Sequence, residues 1–515
     1  MKHLLLSILI LLLTACSQHN TDDLHMADIY TDGMVLQRDV PLTLHGKAAP
    51  GAKVHASLAG QRQTTISDIE GSWALTFDPL SAGGPHILKV SSCGKQLLFH
   101  SVMIGEVWLC SGQSNMEFTL SNCNDFCNAL QLQQGDTLAL LQSRNNPLCP
   151  LRIFNRKALY PTNNNVWDSI GIENTQHFNY LCPASWETCT PSSVSNLSAI
   201  AFYFGCMLQD SLQVPVGLIV NAVGGTPTES WIDHATLTDG FPDILTDWLH
   251  NPFIQDWCRG RAALNLGINL EDAEISTRHH PYEPCYMYNA GIVPLDHYPV
   301  RGVIWYQGES NAHNTAVHER LFPLLVQSWR AYWKMPDMPF LYVQLSSLNR
   351  PTWPLFRDSQ RRLLDILPHT GMAVSTDMGD STDVHPRHKQ PVGERLARLA
   401  LANVYDQSWF KCHPSAAEGP LYQSVAFKES EAILTFRYAE GLHTSDGAPL
   451  RTFEIADSTG SFQPAEARIE GDRIVATSPN VSKPTQIRYG WQPFTRANLV
   501  NAFGLPASTF ASSLE

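Results

Sequence analysis

Hydrophobic and polar positions change rhythm twice along the chain. From about residue 26 to residue 101, short alternating segments ("MVLQRD", "PLTLHG", "AKVHASLAG", "GSWALTFD", "HILKVSS", "KQLLFHSV") are separated by Gly, Pro and Asp. Alternation of period two between turn residues predicts a small antiparallel, sandwich-like domain over 24–101. The same style returns over 415–515, in "AILTFRY", "RTFEIAD", "ARIEGDRIVATS" and "TQIRYGW", and predicts a C-terminal β-rich region. Between them, over 102–412, the pattern differs. Continuous apolar runs in "VWLCSG", "VGLIVNAVGG", "GVIWYQGES", "FLYVQLSS" and "GMAVSTDMGD" read as strands. The intervening "SAIAFYFGCMLQDSL", "HERLFPLLVQSWRAYW" and "LFRDSQRRLLDIL" repeat apolar residues at three and four, the period of a helix. In "GERLARLALANVY", Leu396, Leu399, Ala400 and Val404 form one helical face. Strand and helix in series predict an α/β domain with a parallel sheet covered on both faces. Residues 120–196, rich in Asn, Pro and Thr, are long for a connection and read as an insertion near the site.

The opening "MKHLLLSILILLLTACSQ" has a basic start and an apolar run from Leu4 to Leu13. That run is too short to span a bilayer and has the length of a signal-peptide core. Residues 1–16 are therefore expected to be an export signal. Leu13-Thr14-Ala15-Cys16 resembles a bacterial lipobox, which makes Cys16 the expected lipidation site and the lipid the expected membrane contact. Ala15 as an ordinary secretory cleavage site is the alternative, and both place the mature protein outside the cytoplasm.

The chain of 515 residues is 43% hydrophobic, enough for a large core, and its net charge of -13 disfavours nucleic acid or an anionic membrane as partner. Twelve cysteines in an exported protein invite local bridges; Cys123 with Cys127 and Cys182 with Cys189 are close enough in sequence. No CxxC pair occurs, so a structural zinc site is not expected.

The chemistry falls at the strand ends. In open parallel sheets the loops after the strands converge on a ligand crevice. Here the first predicted strand is followed by "SGQSNM" with Ser114, the second by "GGTPTESW" with Gly225, the third by "QGESNA" with Glu309 and Asn311, and the last by "STDVHPRHK" with Asp383 and His385. A serine hydroxyl becomes a nucleophile when an imidazole takes its proton, and a carboxylate can orient that imidazole. Gly225 can offer a backbone N–H at close range, Asn311 a side-chain N–H, and Ser114 its own N–H to the oxyanion that attack creates. Each residue also has a plain reading: Ser114 as a helix cap, Gly225 as turn punctuation, Asp383 with His385 as a solvated pair. Their joint occurrence at four strand ends favours catalysis. Gln113, Gln307 and Trp231 flank these blocks and are the candidate substrate contacts, although Trp108, Trp231 and Trp305 also fit core positions.

Ser114 in "GQSN", Gly225 in "GGT", Asn311 in "GESN" and His385 in "DVHP" resemble the four ordered blocks of the SGNH hydrolases. More narrowly, "VGEVWLCSGQSNM", "GGTPTESW", "IWYQGESNA" and "DVHPRHKQPVGERLA" resemble the sialate O-acetylesterase family, as do the flanking "TDGMVLQRDVPLTLHGKAAPG" and "RYGWQPFTRANLVNAFGLPAS". The resemblance implies a three-layer α/β/α domain with a flavodoxin-like parallel sheet and hydrolysis of sugar O-acetyl esters without metal or cofactor. It implies Ser114 as nucleophile, His385 as general base and acid, and Ser114, Gly225 and Asn311 as oxyanion hole. The acid of the triad stays open. Many SGNH enzymes carry it three residues before the His, where this chain has Thr382; Asp383, Glu309 and a backbone carbonyl are the alternatives. O-acetylated sialic acid, deacetylated at the 9-hydroxyl, is the expected substrate, with acetylated xylan, pectin or mucin glycans as the alternative. A surface glycan-binding lipoprotein without catalysis is the reading from another class.

Overall fold

The computed structural model describes residues 24–124, 151–271 and 277–512; the leader with Cys16, part of the 120–196 stretch and Cys127 lie outside these residues. The N-terminal module is built from β1 (Val35–Gln37), β2 (Leu42–Lys47), β3 (Lys53–Leu58), β4 (Gln61–Ile66), β5 (Ser72–Phe77) and β6 (Gly83–Ser92). Strand β2 pairs with β5 as a two-stranded sheet, and β3, β4 and β6 form an antiparallel sheet. Leu44, Trp73 and Phe77 from the first sheet share one core with Val54, Leu88 and Val90 from the second.

Strand β7 (Lys95–Gly112) spans 18 residues and serves two sheets. Its first half pairs antiparallel with β6, and its second half becomes the central strand of the parallel sheet. The expected boundary at 101/102 thus falls inside one continuous strand, marked by the irregular Ser101 with φ of 55°.

The parallel sheet continues with β8 (Leu151–Arg156), β9 (Trp186–Thr188), β10 (Val216–Ala222), β11 (Gly302–Tyr306), β12 (Phe340–Val343) and β13 (Thr370–Ala373), in the order β9-β8-β10-β7-β11-β12-β13. Only β9 runs antiparallel in this row. Alternate residues of β7 enter different cores. Val107 and Leu109 pack with Trp231, Trp305 and Trp329, whereas Trp108 and Cys110 pack with Phe204, Leu396 and Ala400. That division is the signature of a sheet covered on both faces, and it gives the α/β/α layering.

The covering helices are α1 (Ser114–Glu117), α2 (Ala199–Leu212), α3 (Asp256–Leu266), α4 (Thr315–Trp333), α5 (Trp353–Leu363) and α6 (Gln390–Asn403). Strands β8 and β9 arise from the stretch read as an insertion, so this segment extends the sheet as well as bordering the site. After α6, β14 (Leu421–Lys428), β15 (Glu431–Arg437) and later strands form antiparallel sheets around a third core containing Leu434, Ile455 and Phe510. Arg357 of α5 ties this module to the α/β layer: its buried guanidinium donates to the carbonyls of Gly490, Gln492 and Pro493.

Candidate active site

After β7 the chain first builds the β8, β9 and β10 side of the sheet and then crosses to β11 on the other side of β7, so the sheet's topological switch lies at the carboxyl end of β7. Gly112 ends this strand with φ of 138°, and a Cβ there would sit 2.1 Å from the Tyr306 carbonyl oxygen. Only glycine permits that approach to β11. Ser114 then begins α1. The Gln113 side chain makes no cap hydrogen bond, so the serine is the first helical residue and not the cap. The first turn of a helix leaves its N–H groups without intrahelical partners, which keeps the Ser114 N–H available as a donor.

His385 arrives from the loop after β13, 271 positions away, and its Nε2 lies 2.8 Å from Ser114 Oγ. Phe118 stacks beside the imidazole with ring centroids 6.3 Å apart. Both side chains face a crevice of about 640 Å³ whose wall includes Gln113, Gly224, Gly225 and Ser310. Burial and the nearby Lys389 ammonium push the His385 pKa down, and Asp383 partly opposes them. The ring is therefore held neutral, the form a general base requires.

Asp383 reaches His385 by a turn. Its Oδ1 accepts the His385 backbone N–H at 2.8 Å, folding the carboxylate back toward the ring it would otherwise point away from. Oδ1 stands 3.8 Å from Nδ1, beyond hydrogen-bond length but close enough to favour the imidazolium electrostatically. Glu309 takes another post. Its Oε1 accepts from Asn115 Nδ2 at 2.5 Å, and its buried Oε2 has no hydrogen-bond partner among the described residues. It makes no hydrogen bond to His385.

Gly225 has φ of 77°, and a Cβ on it would lie 2.0 Å from the Tyr282 hydroxyl. The neighbouring Gly224 N–H is directed to Glu117, whose carboxyl burial pushes up to about 7. Asn311 lies behind the wall, fully buried. Its Nδ2 donates to Glu229 Oε2 at 2.9 Å, and its Oδ1 accepts from Gln307 Nε2 at 2.6 Å and from the Thr228 N–H at 3.0 Å. One Nδ2 N–H and the Oδ1 are thus committed to this internal network, and Asn311, expected in the oxyanion hole, is not among the residues that line the crevice. Gln307 belongs to the same network and does not line the crevice. Trp231 is likewise in the core, edge-on to Trp305 at 5.9 Å, because the short 3-10 helix Thr228–Trp231 turns it inward. Gln113, by contrast, does line the crevice. Its Oε1 faces the Gly308 and Ser310 N–H groups, leaving its Nε2 without an acceptor among the described residues.

Two residues outside the expected set complete the site. Asn115 Nδ2 also donates to the Val384 carbonyl at 3.0 Å, tying the nucleophile helix to the histidine loop. Its Oδ1 accepts from the buried Lys389 Nζ, which lies 4.8 Å from the Phe118 ring. Burial pushes Lys389 down to about 8, with Glu309 opposing. A lysine four positions after the histidine, just before an apolar helical face, was the available signal. Among the remaining cysteines, Cys182 carries a free thiol, so the Cys182–Cys189 bridge is not formed.

Comparison with known proteins agrees with this geometry. A family model described as carbohydrate esterase, sialic acid-specific acetylesterase matches residues 278–402, which hold Glu309, Asn311, Asp383 and His385. Sialate O-acetylesterase of Mus musculus is 27% identical over 94% of this chain and 92% of its own length. The human protein of that name is 26% identical over 90% and 87%. The crystal structure of a carbohydrate acetylesterase from Xanthomonas citri superposes with a TM-score of 0.76 at 30% identity, covering 96% of this chain and all of that one. With matches of this extent and a serine–histidine pair at the sheet's switch point, the chain belongs to the sialate O-acetylesterase family of carbohydrate esterases.

Proposed function

We propose that the protein removes O-acetyl groups from sugars through an acetyl-enzyme on Ser114, with O-acetylated sialic acid as its substrate. The observation that carries this reading is the 2.8 Å contact between Ser114 Oγ and His385 Nε2 at the crevice wall. Ser114 Oγ attacks the acetyl carbonyl while His385 Nε2 takes its proton. The oxyanion is met by the backbone N–H groups of Ser114 and Gly225, with the Gln113 amide in the place expected for Asn311. His385 returns the proton to the departing sugar oxygen. Water, deprotonated by the same imidazole, then releases acetate and restores the serine. Asp383 supports the imidazolium through space in both halves.

Sialic acid as substrate rests on the relatives that carry that name and on the matched family model. The Xanthomonas citri protein, described only as a carbohydrate acetylesterase, supports a second reading in which the sugar is uncharged. Acetate release from 9-O-acetyl-N-acetylneuraminic acid and from acetylated xylo-oligosaccharides separates the two. Faster turnover of the sialic acid is expected; the reverse order would install the second reading.

Export and lipid anchoring through Cys16 are part of the proposal and rest on the leader "MKHLLLSILILLLTAC". Fatty-acid labelling of the protein that disappears in Cys16→Ala is the expected result. Equal labelling of both would refute it.

A further inference from the structure

We propose that the crevice contains a carboxylate-binding subsite formed by Arg261 and Arg350, with Trp257 as a platform for the sugar, which selects acetyl esters carried on acidic sugars. The inference rests on the esterase reading for its biological use, but the binding it claims is separable from turnover. Arg261 and Trp257 both lie on α3 and line the crevice wall. Arg261 Nη1 donates to the Thr162 carbonyl at 2.6 Å, and its guanidinium carbon lies 5.2 Å from the Trp257 ring centre. Trp257 stacks on Tyr282 with centroids 5.8 Å apart, and the Tyr282 hydroxyl donates to the Gly224 carbonyl at 3.0 Å. One cation is thereby fixed on the Gly224–Gly225 side of Ser114.

Arg350 lines the same crevice. Its loop is joined to the histidine loop by the Asn349 N–H bond to the Ser381 carbonyl at 3.2 Å, and its guanidinium carbon lies 5.2 Å from the Trp353 ring. Neither arginine has an acidic ion-pair partner among the described residues, whereas Arg301, Arg362 and Arg395 are each bound to a carboxylate. Of the acids nearest the crevice, Asp383 is bound to its own loop and Glu117 to Gly224, while Glu309, which lines the crevice, accepts from Asn115 through one oxygen and feels the charges of Lys389 and Arg350. Two guanidiniums without an ion-pair partner among the described residues, in the crevice of a chain with net charge -13, favour an anion there. Their planar forks suit a carboxylate in particular. Trp257 is 46% exposed, so beside its contacts with Tyr282 and Arg261 part of its ring is open to the crevice, where a sugar can touch it.

The test compares wild type with Arg261→Gln, Arg350→Gln and the double variant. The first measurement is kcat/KM for 9-O-acetyl-N-acetylneuraminic acid against its neutral carboxamide. Wild type should prefer the acid by about tenfold or more, and the preference should shrink in each single variant and vanish in the double one. Equal rates on acid and carboxamide in wild type, or an unchanged ratio in the variants, would overturn the subsite. The second measurement is calorimetric binding of free N-acetylneuraminic acid and its carboxamide, which decides the question even if no acetate is released. Acetylated galacturonan oligomers, run beside the sialic acid, distinguish the source of the carboxylate. Preference for either acid supports the subsite, and preference for neutral acetylated xylo-oligosaccharides rejects it.

Discussion

Ser114→Ala is expected to lower kcat for an aryl acetate by about 10⁴-fold or more, with the melting temperature nearly unchanged. The two halves of this expectation have different causes. Ser114 Oγ contributes one hydrogen bond, to His385, at a partly buried site, so its loss costs the fold about 1 kcal/mol or less. Alanine is compatible with the first turn of α1. In the proposed mechanism the same atom is the nucleophile, and without it no acetyl-enzyme would form. The oxyanion donors and the crevice remain and supply only the residual rate. Turnover within tenfold of wild type, in a protein with an unchanged melting curve, would remove Ser114 from the mechanism.

Lys389→Met should be the next most damaging change and should leave a distinct pH signature. The buried ammonium holds Asn115 Oδ1, and Asn115 in turn holds Glu309 and the Val384 carbonyl next to His385. Removing one partner of a buried charged network costs on the order of 3–5 kcal/mol, so the melting temperature should fall. A histidine loop loosened by an ångström loses about 10²-fold in rate. The sign of the pH effect follows from charge. Lys389 is one of the two causes that lower the His385 pKa, the other being burial. Deleting the cation favours the imidazolium, so the pKa rises and the acidic limb of kcat/KM moves to higher pH. A proton taken up by Glu309, deprived of its cation, acts in the opposite direction, but Glu309 is not among the charges that shift His385, so the sign stands. A rate loss with an unmoved acidic limb would reduce Lys389 to a packing role.

The strand ends were legible because the chemistry needs rare polar residues exactly where apolar runs stop. "WLCSGQSN" and "STDVHP" each announce such a stop, and topology brings them together. The helices were legible for the same periodic reason: "SAIAFYFGCMLQDSL" becomes Ala199–Leu212 nearly residue for residue. What failed depended on direction. Asn311 and Trp231 sit in the right motifs, but a side chain's orientation is decided by partners such as Glu229 and Trp329, far away in sequence or unmarked by pattern. Trp257 and Arg261 lie on a helix that follows no strand-end motif, so nothing local marked them as crevice residues. Strand β8 was hidden because its pairing with β10 gives it an identity that its own short, mixed segment "LRIFNR" does not declare.

The most direct measurement of the central claim is covalent trapping. Treating the active protein with an aryl alkylphosphonate, which phosphonylates an activated serine, and mapping the adduct by peptide mass spectrometry should yield one adduct per chain, on the peptide containing Ser114, in proportion to lost activity. His385→Ala should prevent the labelling. Full inactivation with the adduct on another residue, or full activity with Ser114 completely labelled, would contradict the account.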